Sequence, residues 1–135
     1  MAIEPFSDTG LKDNNGNATP DIEVILAKVP TGKLLVVEHI SGQLGVKDGG
    51  VVDWIQAAGQ GLPGGVIHLP VHFVSSVSQL SGTGIGRWHQ FGSSARLYVR
   101  GGNSVVVSGG ATISSPDPRA TFKLFVTAIG YLVDA

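Results

Sequence analysis

The sequence contains no cysteine, which excludes disulfide bonds, thiolate metal sites and cysteine nucleophiles together. Charged residues are also few: nine Lys and Arg against ten Asp and Glu leave a formal net charge of -1. Because the basic residues are scattered along the chain, they form no positive patch that would attract nucleic acid or an anionic membrane. We therefore expect neither kind of partner.

Long apolar runs and leader features are missing too. No apolar run is long enough to span a bilayer. The first ten residues, MAIEPFSDTG, carry an acidic residue and a proline where a signal peptide would place its positive region and apolar core. These features predict no membrane insertion, and either a cytoplasmic location or export without a signal peptide.

Blocks of Ala, Leu, Glu and Lys with a helical period are absent, so no helix of three turns is predicted. Glycine is abundant instead, at 20 residues, between segments that are rich in Val, Ile, Thr, Ser and Leu. That is the composition of short strands joined by glycine turns. We predict an all-β protein with one domain over residues 1–135, an antiparallel β-sandwich of jelly-roll type with about eight to ten strands.

The alternation of apolar and polar residues gives the expected strand positions. Residues 1–21 are polar and rich in turn formers, and they predict a loop-rich N-terminal segment. Residues 33–46 are nearly continuous in apolar residues at their start, which is typical of a central strand. The predicted strands are 22–29, 33–46, 51–58, 66–77, 86–92, a hairpin over 95–110 around Gly101, Gly102 and Asn103, and 119–134.

Two histidines, His68 and His72, lie four positions apart in the segment GGVIHLPVHFVSS. In one strand, that spacing separates the Cα atoms by roughly 13 Å. Since a Zn–N bond is only about 2 Å long, the pair cannot share one metal ion from there. Pro70 lies between them and lacks a backbone donor, which predicts an edge strand or a bulge. We interpret the histidines as the solvent side of a strand.

No catalytic constellation is visible in the sequence. Nucleophilic catalysis needs a serine or threonine within reach of a histidine, and no G-x-S-x-G elbow occurs. Glu4, Glu23 and Glu38 are spread along the chain and suggest no acid/base pair. We expect no enzymatic activity, no cofactor and no metal; a cupin-like enzyme that uses the histidines is a third and weaker alternative.

Aromatic residues among polar neighbours are the strongest candidates for a ligand site. An indole offers a flat apolar face and its polar neighbours offer directed hydrogen bonds, a combination that suits sugars. Trp54 has apolar neighbours and is expected in the core, whereas for Trp88 the sequence leaves core and surface open. We predict Trp88 as the stacking platform. The predicted hydrogen-bonding residues around it are Arg87, His89, Asp53 and Gln56.

The end of the chain resembles a known family. The segments ARLYVRGGNSVVVSGG and ATFKLFVTAIGYLVD resemble the closing strands of tumour-necrosis-factor-like jelly rolls, including the complement globular heads. Gly102-Asn103-Ser104-Val105 fits their hairpin and Gly130-Tyr131-Leu132-Val133 their closing run, although Ala128 stands where the family usually has an aromatic residue. The resemblance covers under a third of the chain. It implies a jelly roll of ten or slightly fewer strands that trimerises through its inner sheet; bacterial lectins of this shape exist, and they too lack cysteines and signal peptides.

The last strand is apolar on both faces over its second half, which predicts a cover on both faces. One sandwich core covers only one side of a sheet. The other cover is most simply a second subunit, with Phe125, Ile129 and Tyr131 in the contact. We therefore predict a homo-oligomer, and a trimer if the resemblance holds.

Two functions are compatible with these patterns. The first is a non-enzymatic binding module, most plausibly a carbohydrate-binding, lectin-like jelly roll with a glycan ligand. The alternative is a structural or assembly subunit such as a fibre tip, spike or shell protein, because low charge and many glycines suit that role equally well.

Overall fold

Antiparallel β-strands form all the regular secondary structure in the computed structural model, which describes residues 3–13, 21–59, 65–81, 84–112 and 122–135. No helix long and apolar enough to cross a membrane occurs in this part of the chain. The strands are β1 (Glu4–Asp13), β2 (Asp21–Ile25), β3 (Lys33–Lys47), β4 (Val51–Gly59), β5 (Val66–His68), β6 (Val71–Val74), β7 (Ser78–Ser81), β8 (Gly84–Arg100), β9 (Val105–Thr112) and β10 (Phe122–Asp134).

The strands form two sheets that pack against each other. The six-stranded sheet has the order β1-β10-β3-β8-β6, with β7 also paired to β8, and the four-stranded sheet has the order β2-β9-β4-β5. Four strand pairs are nested in the sequence, as in a long hairpin that folds over on itself. They are β1 with β10, β2 with β9, β3 with β8 and β4 with β5. This nesting is the jelly-roll arrangement, so the predicted fold class is confirmed.

The core lies between the two sheets and is built from the alternate residues of each strand. In β10, Phe122, Leu124, Val126 and Ala128 are at most 1% exposed, while Phe125 and Ile129 between them face outward. Leu44 of β3 pairs with Leu124 and is fully buried. The last strand therefore has one face in the core and one face that points away from it. We call the face of each sheet that points away from this core its outer face.

The N-terminal segment was expected to be loop-rich, and this is wrong for residues 4–13. They form β1, which pairs with β10 along its whole length and is an edge strand of the six-stranded sheet. Phe6 packs against the core, and the Asp8 carboxylate accepts a hydrogen bond of 2.8 Å from the backbone N–H of Ala27. Charged and polar residues are common on edge strands, where they discourage pairing of the free edge with another chain. Residues 14–20 lie outside the described residues.

The segment 66–77 was expected to be one long strand, but it changes sheets at Leu69–Pro70. His68 is the last residue of β5 in the four-stranded sheet, whereas His72 belongs to β6 in the six-stranded sheet. Both strands lie at the edges of their sheets, as the missing N–H of Pro70 predicts. The two histidines do not share a strand.

The hairpin expected over 95–110 is also a crossover. Its turn exists, with the N–H of Asn103 bonded to the carbonyl of Arg100 at 3.1 Å. The strands on either side nevertheless belong to different sheets, β8 pairing with β3 and β9 with β2 and β4. The turn is held by Val29, whose N–H bonds the Asn103 carbonyl at 2.8 Å. Alternation alone predicts strands correctly but does not identify their partners.

Candidate functional site

The two tryptophans lie on the outer faces of opposite sheets. Trp88 in β8 lies over Gly45 of β3, where a Cβ atom would be 2.9–3.2 Å from three atoms of the indole. The neighbours of Gly45, Leu44 and Val46, are both buried in the core, so Gly45 and the ring above it face outward. The ring centroid of Trp88 is 5.7 Å from that of Phe125, with the two planes tilted by 47°.

Trp54 has the same relation to a glycine of the four-stranded sheet. Its indole lies over Gly110 of β9, where an added Cβ would overlap the ring. The preceding residue, Gly109, points at Leu44 in the core, so Gly110 points outward. Trp54 is half-buried on the outer face rather than in the core, and the expectation of a core position is wrong. A glycine beneath each indole lets the ring approach the backbone closely.

A bulge in β4 turns Trp54 outward. Val52 packs against the core and pairs with Ala111, but the next pair is Trp54 with Gly110, which leaves Asp53 as an extra residue. Beyond this bulge the buried positions are Ile55 and Ala57. A β-bulge of this kind changes which face the following side chains occupy.

The five residues predicted as a ligand site are divided between the two sheets. Trp88, Arg87 and His89 are consecutive in β8 of the six-stranded sheet, whereas Asp53 and Gln56 belong to β4 of the four-stranded sheet. Trp88 and Gln56 both point outward, and the core lies between them. In a strand successive side chains point to opposite faces, so Arg87 and His89 project from the face opposite to Trp88. The structure therefore does not bring the five side chains together in one site.

Two of the predicted hydrogen-bonding residues are engaged within the protein. The Arg87 guanidinium lies 3.6 Å from the Asp48 carboxylate and donates a hydrogen bond of 3.2 Å to the carbonyl of Ser75. The Nδ1 atom of His89 lies 3.2 Å from the carbonyl of Leu44. Both side chains tie neighbouring strands and turns together, which leaves less of their hydrogen-bonding capacity for a ligand.

On the other sheet the two candidates differ. The Asp53 carboxylate accepts a hydrogen bond of 2.7 Å from the Thr112 hydroxyl, so it is also partly engaged. Gln56 forms no side-chain hydrogen bond with any described residue. It belongs to a row of polar side chains that crosses the whole four-stranded sheet.

We call this set the polar row: Glu23, Ser108, Gln56 and His68. The residues are direct partners on adjacent strands, Glu23 with Ser108, Ser108 with Gln56, and Gln56 with His68. Direct partners in an antiparallel sheet have Cβ atoms about 5 Å apart on the same face. Within the described residues, none of the four side chains forms a hydrogen bond or ion pair.

Sequence reasoning found Gln56 but missed its three neighbours. Glu23 was visible as an outward position, because Ile22 and Val24 on either side are apolar and are buried in the structure. His68 was correctly interpreted as solvent-facing. Their alignment with Ser108 depends on pairing between strands that are far apart in the sequence, and no local pattern records that pairing.

The outer face of the six-stranded sheet has a different chemistry. Four successive rows across β1, β10, β3 and β8 contain no Asp, Glu, Lys or Arg, and we call them the uncharged face. The exposed charged residues Glu38 of β3 and Arg96 of β8 belong to no row, but they lie at the register shift between the His39–Ser94 pair and the Val36–Tyr98 pair. The rows are Leu11–Phe125–Gln43–Gln90, Thr9–Thr127–Ser41–Gly92, Ser7–Ile129–His39–Ser94 and Pro5–Tyr131–Val36–Tyr98.

Large apolar side chains on the uncharged face surround smaller polar ones. Leu11 is 54% exposed, Phe125 37% and Ile129 44%. Between them the Thr9 and Thr127 hydroxyls form a hydrogen bond of 3.1 Å. A shallow depression of about 380 Å³ lies here, lined by Thr9, Gly42, Gln43, Phe125, Val126 and Thr127.

Ion pairs lie at both ends of the six-stranded sheet. At one end Lys123 contacts Asp13 at 3.3 Å. At the other, Lys33 contacts Asp134 at 2.7 Å and Glu4 at 3.1 Å. The hydrogen bond to Asp134, followed by the one to Glu4, raises the pKa of Lys33 above its ordinary value of 10.5.

The two histidines that are four positions apart in the sequence do not meet in a metal site. His72 lies in hydrogen-bond contact with the carbonyl of Gly92, on the six-stranded sheet, away from His68 on the four-stranded one. Among the described residues, no group of three or more His, Asp and Glu side chains is placed to hold a metal ion.

Comparison with known proteins gives no relative. No protein-family model matches the chain, and no significant match exists among curated proteins or among solved structures. The geometry of the two outer faces is therefore the basis on which a function can be proposed.

Proposed function

We propose that this protein is a non-enzymatic carbohydrate-binding module that acts as a homo-oligomer. The observation that carries the proposal is the contrast between its two outer faces. One is uncharged and aromatic, and the other combines an indole with unpaired polar side chains. A face of the first kind suits contact with another copy of the chain, and a face of the second kind suits a hydroxyl-rich ligand.

Self-association is supported by the exposed apolar residues of the uncharged face. The predicted contact residues Phe125, Ile129 and Tyr131 all lie on it, in β10, with Leu11 in the neighbouring strand. Contiguous exposed apolar patches on soluble proteins usually mark interaction sites. The first three rows contain no charged residue, so a second copy can cover these rows without burying an unpaired charge. The resemblance to trimeric jelly rolls favours a trimer.

Carbohydrate binding is supported by Trp54 and the polar row. Sugars have an apolar ring face with a rim of hydroxyl groups, and lectin sites match the two with an aromatic platform and directed hydrogen-bond partners. The polar row offers a carboxylate, a hydroxyl, an amide and an imidazole beside the indole. The absence of enzymatic activity belongs to the proposal and is supported by the engagement of His72 and His89 with backbone carbonyls.

A structural or assembly subunit is the second candidate, because the uncharged face would equally serve a subunit contact in a fibre or shell. The two candidates differ in what they expect of solution size. A closed oligomer of fixed mass fits a binding module. Assemblies that grow with concentration fit a structural subunit.

A glycan array with the purified, fluorescently labelled protein tests the proposed function. We expect binding to a restricted group of glycans that is competed by the same free glycan. Absence of binding to every glycan, at protein concentrations in the high micromolar range, would contradict carbohydrate binding and leave assembly as the better explanation.

A further inference from the structure

The four-stranded sheet presents hydrogen-bonding groups that the protein itself does not use. Glu23 and His68 are exposed, Ser108 and Gln56 are half-buried, and none has a side-chain partner among the described residues. The sheet fixes the backbone beneath these side chains, so only their side-chain rotamers remain to be ordered on binding. The row is therefore a set of donors and acceptors at fixed backbone positions.

Trp54 adds a flat apolar surface beside this row. The atoms Cε2, Nε1 and Cζ2 lie at nearly equal distances from the place where Gly110 would carry a Cβ, so one face of the ring lies against the backbone. The opposite face then points away from the sheet. Gln56 follows Trp54 by two residues in β4 and lies on the same outer face.

The charge of the polar row determines which ligand charge it can bind. Glu23 is the charged residue of the polar row, and the row contains no Lys or Arg. Carboxylates accept hydrogen bonds from sugar hydroxyls, but they repel the carboxylate of an acidic sugar.

The length of the polar row determines the size of ligand that the row can bind along its whole length. Four adjacent strands place the Cα atoms of Glu23 and His68 about 14 Å apart, three strand spacings of roughly 4.8 Å each. That is longer than a single pyranose ring. We infer that Trp54 and the polar row form a binding site for a neutral oligosaccharide that runs across the four-stranded sheet; this inference rests on the proposed function and assigns its site and ligand class.

The test measures the affinities of variants for defined sugars by isothermal titration calorimetry. The probes are neutral oligosaccharides of glucose, mannose and galactose, with oligogalacturonate as the acidic counterpart. Gln56→Leu keeps the size of the side chain and removes its amide, and it should raise the Kd for the best neutral probe about tenfold. Trp54→Leu should raise it by at least about tenfold, because the stacking surface is lost.

A matched control lies on the opposite sheet. Gln90 is exposed on the uncharged face, so Gln90→Leu should leave the Kd unchanged. Glu23→Gln retains an acceptor and removes the charge, and it should improve binding of oligogalacturonate relative to the parent protein.

The outcomes separate this inference from the proposed function. If the parent protein binds a neutral probe and both Gln56→Leu and Trp54→Leu bind it equally well, the sugar site lies elsewhere and only the inference fails. Preference of the parent protein for oligogalacturonate would overturn the assigned ligand class. If the parent protein binds neither these probes nor any glycan of the array, both the inference and the proposed function fail.

Discussion

On each outer face, the indole of one tryptophan packs closely over one glycine. Gly110→Ala would place a methyl group inside the present position of the Trp54 ring. The ring or the strand must then shift, and overpacking of this kind costs about 1–3 kcal/mol. We expect a lower urea midpoint of unfolding for this variant.

Gly65→Ala is the control for that substitution, because nothing lies within 4 Å of the position of its Cβ. It should unfold at the same urea concentration as the parent protein. Equal midpoints for the Gly110 and Gly65 variants would show that the indole does not lie over Gly110.

Trp54 also shows why its own position could not be predicted. Its apolar neighbours in the sequence favoured the core, and strict alternation from Val52 would have placed both on the same face. The extra residue Asp53 breaks the alternation, and a bulge leaves no periodic signal. Trp88, in contrast, pairs across the sheet with Gly45. Its position depends on a partner that is more than forty residues away in the sequence.

Individual strands were predicted much better than their pairing. The alternating segments at 22–29, 33–46, 51–58 and 119–134 all contain strands, because alternation directly reflects burial of one face. β1 was not predicted because its sequence, EPFSDTGLKD, lacks a clear alternation of apolar and polar residues. The crossover after β8 was taken for a hairpin, because a turn has the same local chemistry whichever sheet receives the next strand.

Lys33 links three strands of the six-stranded sheet at one end. It lies in β3 and contacts Glu4 of β1 and Asp134 of β10. Since its pKa is raised in the folded protein, its stabilising contribution is fully present below the ordinary value of 10.5 and is lost as the pH rises through the folded value.

We therefore expect Lys33→Met to be less stable than the parent protein at neutral pH, by an amount that shrinks in strongly alkaline solution. Urea unfolding of both proteins from neutral pH to strongly alkaline pH checks this. A stability difference that stays constant over that whole range, or grows at its alkaline end, would show that the ion pairs are not its source.

For the whole molecule, the uncharged face predicts the oligomeric state. Ile129 lies in the middle of that face and is 44% exposed in one protomer. Ile129→Lys would bury an unpaired ammonium group in the subunit contact, which costs about 3–5 kcal/mol and should split the oligomer. Light scattering at micromolar protein concentration measures the mass directly.

Ile25→Lys is the matched control, since Ile25 is 56% exposed on the outer face of the four-stranded sheet. This variant should keep the mass of the parent oligomer. A monomeric parent protein, or a mass that Ile129→Lys leaves unchanged, would exclude the uncharged face as the subunit contact.

The central claim is that one sheet binds another copy of the chain and the other binds sugar. The chain has two tryptophans, one on each outer face, so replacing them with 5-fluorotryptophan gives one ¹⁹F signal for each face. Trp54→Phe and Trp88→Phe assign the two signals.

The decisive measurement is the ¹⁹F spectrum with and without the best neutral oligosaccharide, and with and without Ile129→Lys. We expect the sugar to shift the Trp54 signal and leave the Trp88 signal in place. Ile129→Lys should do the reverse, because Trp88 contacts Phe125 on the uncharged face. A sugar that shifts the Trp88 signal and not the Trp54 signal would contradict this division between the two sheets.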